Sequence, residues 1–300
     1  MDRLDALRAL MMVVEEGSLA AAARRVGRSP AAMTRMLAAL ESEAGARLFE
    51  RTTRRLRLTE AGSQYVRAAR RVLEQADALA GLVRPDDQPA GVLTLTAPRA
   101  AGGDILRPIL HAFLKEHPRI QARLLLLDRV TNLVEEGFDL ALRFAHLPDS
   151  SLVAVRLGSV RRVVCAAPAY LAKHRPIRKP ADLAAQDVIG LAETRAETVW
   201  SFAGGRRVRV APRLSINSIA GARASAIEGC GVARLLSYQI ADDVRAGRLV
   251  VLLAAFEPPP LPAHLVVPKD RLVLPKTRAL MDFATARLKA ALAARELPAR

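Results

Sequence analysis

Two cysteines in 300 residues and aromatics at only 4% set the first limits on this chain. Cys165 and Cys230 are too few, and too far apart in the chain, to build a disulfide framework. The shortage of aromatics argues against a stacking surface of the kind single-strand binders use. No CxxC occurs, and His111, His117, His146, His174 and His264 never fall at i,i+3 or i,i+4, so no zinc site or other metal is expected. There is no GxSxG and no phosphate-binding GxxxxGK. With no catalytic constellation in view, the chain is not expected to be an enzyme. No apolar run approaches the ~18 residues a membrane span requires. The N-terminus mixes acids among its apolar positions and has no small-residue cleavage site, so a cytoplasmic protein is expected, with no membrane partner.

What is present is an ordinary globular composition, 51% hydrophobic and 25% charged. At roughly 150 residues per domain, the length allows about two domains. The formal net charge of +16 points to polyanionic partners, nucleic acid first and anionic membrane second. Its distribution is uneven. Residues 1–90 carry +3 and residues 91–300 carry +13, while 28–57 alone carry +4. An anionic ligand, extra DNA contacts and plain solubility all fit the C-terminal surplus.

Leu4, Leu7, Leu10, Met11 and Val14 repeat at helical spacing, and Gly17-Ser18 ends that helix. Ser18 caps a second helix, Leu19 to Val26, and Gly27 supplies a turn. Ser29-Pro30 begins a third helix to about Glu41, with Met33, Met36, Leu37 and Leu40 inward and Ala31, Thr34, Arg35 and Ala38 outward. The basic–apolar alternation of residues 55–58 suits a short two-stranded ribbon. Thr59 caps a long helix from Glu60 to Val83, in which Ala69, Val72, Ala76, Leu79 and Val83 form a short heptad seam. Residues 84–89 have a linker's composition.

Beyond the linker, strands alternate with helices: Val92 to Thr96, a helix near Asp104 to His117, Ala122 to Leu127, a helix near Asn132 to Glu136, and Asp139 to Phe144. Such alternation predicts βαβ units around a mostly parallel sheet.

Three short helices with a glycine turn before the last, followed by a basic ribbon, have the layout of a winged helix-turn-helix. The third helix then enters the major groove with Arg28, Ser29, Ala31, Thr34 and Arg35 toward the DNA. Arg51, Thr52, Arg54 and Arg55 lie against backbone phosphate or the flanking minor groove. On spacing alone, DNA binding and an ordinary Ala-rich helical pair stand on equal footing.

Residues 17–35, 45–54 and 58–62 strongly resemble the N-terminal domain of LysR-type transcriptional regulators. The family more often has serine where this chain has Ala31 and Thr34, so a hydroxyl contact is expected only at Thr34. The resemblance continues through Asp128-Arg129, 133–143, 147–152, 167–171, 229–231 and 246–249 to the family's effector domain. It implies an α/β fold: a winged helix-turn-helix over 1–58, a linker and dimerisation helix over 59–84, a hinge over 85–90, and a regulatory domain over 91–300. That last part is expected to hold two α/β subdomains resembling periplasmic solute-binding proteins, I over about 91–162 and 266–300 and II over about 163–265. The implied partners are double-stranded operator DNA, further copies of the chain as a dimer of dimers, RNA polymerase and a small-molecule effector. No resident cofactor is implied.

Ligands of open α/β sheets sit beyond the carboxyl ends of the strands. The cleft candidates are therefore Pro98, Arg99, Ala100, Asp128, Arg129 and Phe144, with Thr194 and Arg195 near the crossover between subdomains. Asn217 and Ser218 precede a helix whose backbone N–H groups suit an anion. Arg99, Arg129 and Arg195 favour an organic anion if they face inward, and each is equally compatible with a surface position. Trp200 reads as a packing residue and residues 229–231 as a turn. A redox role for Cys230 occurs in some family members, but a buried structural thiol is the simpler expectation because nothing identifies a resolving partner. The rival reading is a solute-binding or enzymatic α/β domain with an N-terminal region used only for oligomerisation.

Overall fold

The computed structural model describes residues 2–51, 56–82, 89–147, 152–191 and 199–297. The chain separates into two compact units, the second starting at Pro89.

In the first unit, α1 (Arg3–Glu16), α2 (Leu19–Arg25) and α3 (Pro30–Ala44) are each begun by a side chain. Asp2, Ser18 and Ser29 accept the N–H groups of Leu4, Ala21 and Ala32 at 3.0, 3.4 and 3.2 Å. Such caps satisfy amides that the helix itself leaves unpaired. Gly17 and Gly45 end α1 and α3 with φ near +64° and +63°, a conformation only glycine adopts cheaply. That stop places the end of α3 three residues beyond Glu41. Apolar side chains from all three helices, including Leu10, Val13, Met33 and Leu40, form one core.

The wing consists of β1 (Phe49–Arg51) and β2 (Leu56–Leu58), antiparallel with Phe49 opposite Leu58. Glu41 at the end of α3 accepts the N–H of Leu48 at 2.7 Å and of Phe49 at 3.2 Å, so the wing starts at a set place relative to α3. Thr59 accepts the N–H of Gly62 at 2.8 Å and begins α4 (Glu60–Leu82). A Cβ on Gly62 would stand 1.9 Å from the carbonyl oxygen of Leu48, so this helix start tolerates glycine alone. On α4, Val66, Ala69 and Leu73 face the unit's own core, while Val72 is 49% exposed. The seam expected through Ala69 and Val72 is therefore split: Ala69 packs within the protomer, because Val66 and Leu73 share its face. Side chains at Leu79 and Val83 lie outside the described residues, as do residues 84–88.

The second unit holds two five-stranded sheets. The first runs β4 (Ile120–Leu126), β3 (Gly91–Ala97), β5 (Leu140–Phe144), β14 (Leu261–Pro268), β6 (Leu152–Val160). The second runs β11 (Pro212–Ile216), β8 (Val188–Leu191), β12 (Val232–Leu236), β7 (Arg162–Ala166), β13 (Val250–Leu252). In each, the first three strands are parallel and the last two join antiparallel. The expectation of a mostly parallel sheet is thus corrected to a mixed one. The chain passes from β6 straight into β7 across Arg161 and returns from β13 into β14 through a single 3-10 turn (Ala254–Phe256), connections too short for the helical crossover that parallel neighbours need. All of β14 pairs in the first sheet, so the return to subdomain I lies at Leu261, ahead of residue 266.

The first sheet is covered by α5 (Arg99–Ala101), a π-helical turn (Gly102–Leu106), α6 (Arg107–Glu116) and α11 (Pro275–Ala293), whose apolar faces share its core. The second packs against α8 (Ile219–Ile227) and α9 (Ser237–Arg245), and the shorter elements are α7 (Pro168–Leu171), the antiparallel pair β9 (Val199–Ser201) and β10 (Arg207–Arg209), and α10 (Lys269–Leu272). The helix expected near Asn132–Glu136 is instead a turn over residues 133–137, closed by the N–H of Phe138 on the carbonyl of Leu133 at 2.8 Å. Gly137 at φ +73° breaks the run before a second helical turn forms. Residues 229–231 form the turn expected of them, with Gly231 only 2.4 Å, at its would-be Cβ, from the carbonyl of Asp187. Among the described residues, no helix is long and apolar enough to cross a membrane.

Candidate nucleic-acid interface and ligand cavity

Helix α3 turns Met33, Met36, Leu37 and Leu40 inward and leaves Ala31, Arg35 and Ala38 exposed. Those exposed positions lie on one face because of the 3.6-residue period. Thr34 is half-buried, and its hydroxyl donates to the carbonyl of Pro30 at 2.9 Å, leaving the oxygen as an acceptor. Ser29 holds the helix start. Arg28 behaves differently from a free phosphate contact, since its guanidinium lies 3.1 Å from Asp5 and 3.7 Å from the sulfur of Met36. Arg51 is the last residue of β1, whereas Thr52, Arg54 and Arg55 lie outside the described residues. Arg57, which sequence reasoning did not single out, is exposed on β2 opposite Glu50. Its place in the alternating run 55–58 was the available signal.

In the second unit a cavity of about 500 Å³ opens at the carboxyl ends of both five-stranded sheets. Thr96, Ala97 and Pro98 reach it from β3, Leu127 to Thr131 from the segment after β4, and Leu142 to Ala145 from β5. From the other sheet come Arg162, Ile189, Leu191 and Arg234 to Leu236, with Asn217 and Ile219 at the start of α8. Strand ends converge there because parallel neighbours finish together.

Of the expected cleft residues, the cavity gathers Pro98, Asp128, Arg129, Phe144 and Asn217. Arg99, Ala100 and Ser218 stand beside it without lining it. Arg99 donates its backbone N–H to Asp128 at 3.0 Å, and its Nε lies 3.8 Å from the same carboxylate. Ser218 caps α8 by accepting the N–H of Gly221 at 3.2 Å. Thr194 and Arg195 lie outside the described residues.

Sequence reasoning missed Arg143, Arg162, Arg234, Tyr238 and Gln239, all of which line the cavity. Arg143 is held by Thr131, donating to its carbonyl at 2.8 Å and to its hydroxyl. Trp200 is buried to 3% exposure, as a packing residue should be, yet it also lines the cavity with the guanidinium of Arg234 4.9 Å from its ring centroid. Tyr238 packs on Phe144 with ring centroids 5.1 Å apart, and burial pushes its phenol up to about 12, so it stays a hydroxyl donor. Gln239 donates to that hydroxyl at 3.2 Å.

The two cysteines part company. Cys165 is buried on β7, and burial pushes its thiol up to about 12. Cys230 is exposed, which corrects the expectation of a buried thiol there. The tight turn at Gly229 and Gly231 lifts the intervening residue off the sheet.

Comparisons with known proteins agree with this architecture. Residues 4–63 match the family model for the bacterial regulatory helix-turn-helix protein of the lysR family, and residues 86–289 match the LysR substrate binding domain. The HTH-type transcriptional regulator CrgA of Neisseria meningitidis (strain 8013) is 33% identical over 281 residues, covering 92% of this chain and 94% of that protein. PtxR of Pseudomonas aeruginosa, also named an HTH-type transcriptional regulator, is 32% identical over 285 residues, covering 93% and 91%. The solved structure of Neisseria meningitidis CrgA superposes with a TM-score of 0.61 at 31% identity, covering 95% of this chain and 98% of that one. With a helix-turn-helix head, two α/β subdomains around a cavity and family matches over nearly its whole length, the chain belongs to the LysR family of transcriptional regulators, and is a DNA-binding regulator rather than an enzyme.

Proposed function

We propose that this chain, acting in the bacterial cytoplasm, binds pseudo-palindromic operator DNA as an oligomer and that a small molecule in its cavity sets the transcriptional output. The observation that carries the ligand half is the cavity of about 500 Å³ whose walls come from both α/β subdomains. A ligand touching both walls favours one relation between them, and it changes output only if it binds the two states of the oligomer with different affinity.

Support for the DNA half comes from α3, which presents Ala31, Thr34 and Arg35 ahead of a wing whose first strand ends at Arg51. The exposed Val72 on α4, away from the face buried by Ala69 and Leu73, supports joining of two protomers along that helix. A dimer of dimers, in contact with RNA polymerase, is the assembly we infer.

Footprinting of the DNA upstream of the protein's own gene tests the reading. A protected region with two half-sites about one or more helical turns apart is expected. Folded protein that protects nothing at low salt removes the reading.

A further inference from the structure

We propose that the cavity takes a ring-bearing organic acid with one carboxylate and no ammonium group, its carboxylate held by Arg162 and Arg234 and its ring set against Trp200. The proposal rests on the regulatory reading above and names the ligand class of that same cavity.

Strand register places the two arginines. Arg162 stands opposite Leu236, and Arg234 opposite Val164, in the antiparallel pair of β7 and β12. Opposite residues share a face and side chains alternate along each strand, so Arg162 and Arg234 project from one face as diagonal neighbours, roughly 7–8 Å apart at the backbone. Like charges so placed repel each other unless a counter-charge is supplied. Arg234 lies against Trp200. Arg162 is half-buried in the cavity wall, with no hydrogen bond or ion pair to any described residue. One anionic group beside Arg162 supplies the counter-charge that no described residue gives it, lies within reach of Arg234 on the same face, and as a planar carboxylate matches the paired N–H geometry of a guanidinium.

The acids decide against a zwitterion. Among the described residues the cavity is lined by Arg129, Arg143, Arg162 and Arg234 but by a single carboxylate, Asp128. Asp128 is already engaged by the backbone N–H and the guanidinium of Arg99. An ammonium group entering beside Arg162 therefore meets a cation that no described carboxylate balances, and a buried unpaired charge is costly. The wall also offers apolar surface from Leu142, Ile189, Leu191 and Leu235, alongside the polar Thr96, Thr131 and Asn217. At about 500 Å³ the space lies within the range of small-molecule sites and receives a substituted ring with room to spare.

Trp200 is the only tryptophan in the chain, so its fluorescence reports occupancy of this cavity directly. The full-length protein is titrated with 3-phenylpropionate, its amide, phenylalanine and nonanoate. These share a skeleton or an acid group and differ in charge, ammonium or ring. The acid is expected to shift Trp200 emission with an affinity at least about tenfold above the other three. R162M is expected to weaken the acid by about tenfold or more, R162K by less, and K173M, a charge removed from an exposed site outside the lining, not at all. Thermal melts confirm that each variant is folded, and R162K carries the test if R162M is not. Equal binding of the amide, phenylalanine or nonanoate overturns the proposal, as does no response to the acid up to about 10 mM. The operator footprint, run on the same preparation, separates the two readings. Operator protection without a response to the acid removes the ligand class alone, and acid binding without protection leaves the ligand class standing while removing the regulatory reading.

Discussion

The guanidinium of Arg28 lies 3.1 Å from the carboxylate of Asp5 and closes a link between the turn before α3 and the first helix. Arg35, one turn into α3, is exposed on the opposite side from the buried Met33 and Met36. The two arginines are therefore not equivalent, although the sequence places both in the DNA-facing stretch. R35A is expected to lose about 1–3 kcal/mol of operator affinity, the worth of a base-edge or charge-assisted contact. R28A removes an exposed ion pair worth about 0–1 kcal/mol, so its main effect is a small drop in head stability. Fluorescence anisotropy on operator DNA, paired with urea melts, separates them. Equal losses of affinity would show that Arg28 leaves Asp5 for the DNA.

A second prediction concerns the buried carboxylate of Asp139, 1% exposed. It accepts the N–H of Thr94 at 2.8 Å, lies 3.3 Å from Arg271 and 4.0 Å from Lys276, and so ties β3 to the helices that follow β14. Arg271 is itself only 3% exposed. Removing the shared anion leaves two buried cations unbalanced, so D139A is expected to cost about 3–5 kcal/mol in urea unfolding. K276M is expected to cost less, because the Arg271 pair survives it. A D139A chain as stable as the parent would show that the cations find other partners.

The thiols give the third. Native protein is expected to react with one equivalent of a disulfide reagent near neutral pH, at exposed Cys230, and with two after unfolding. The Cys165 thiol is held at about 12 by burial, above its ordinary 9.0. Below pH 9.0 both folded and unfolded states hold its proton, and above it only the unfolded state releases the proton. Stability is therefore expected to fall as pH rises from 9.0 toward about 12, and less steeply in C165A. Tyr238 adds to the same alkaline loss from 10.0 upward, since its phenol is raised to about 12.

The helix-turn-helix was legible because its determinants are local. Ser18, Ser29 and Thr59 cap helices within three residues of themselves, and Gly17, Gly27 and Gly45 take left-handed turns that need no distant partner. Local chemistry failed where a run was too short to hold a helix, at residues 133–137. It failed again on α4, where periodicity shows that Ala69 faces something but not that the face belongs to its own protomer.

The cavity was legible only in part, as the strand ends Pro98, Asp128 and Phe144. Arg162 and Arg234 stand 72 positions apart and become neighbours through the antiparallel pairing of β7 with β12. That pairing follows from a chain that crosses between two sheets, which no spacing rule encodes.

The sequence by itself determined the family, through the resemblance of its motifs, and the starts of the helices in the helix-turn-helix head, because caps, turns and amphipathic periods act over a few residues. The tertiary structure alone decided which arginine is tied to Asp5, which thiol is exposed, and which cations and rings meet in the cavity. Those outcomes depend on strand register and on burial, and both are set by contacts between residues far apart in the chain.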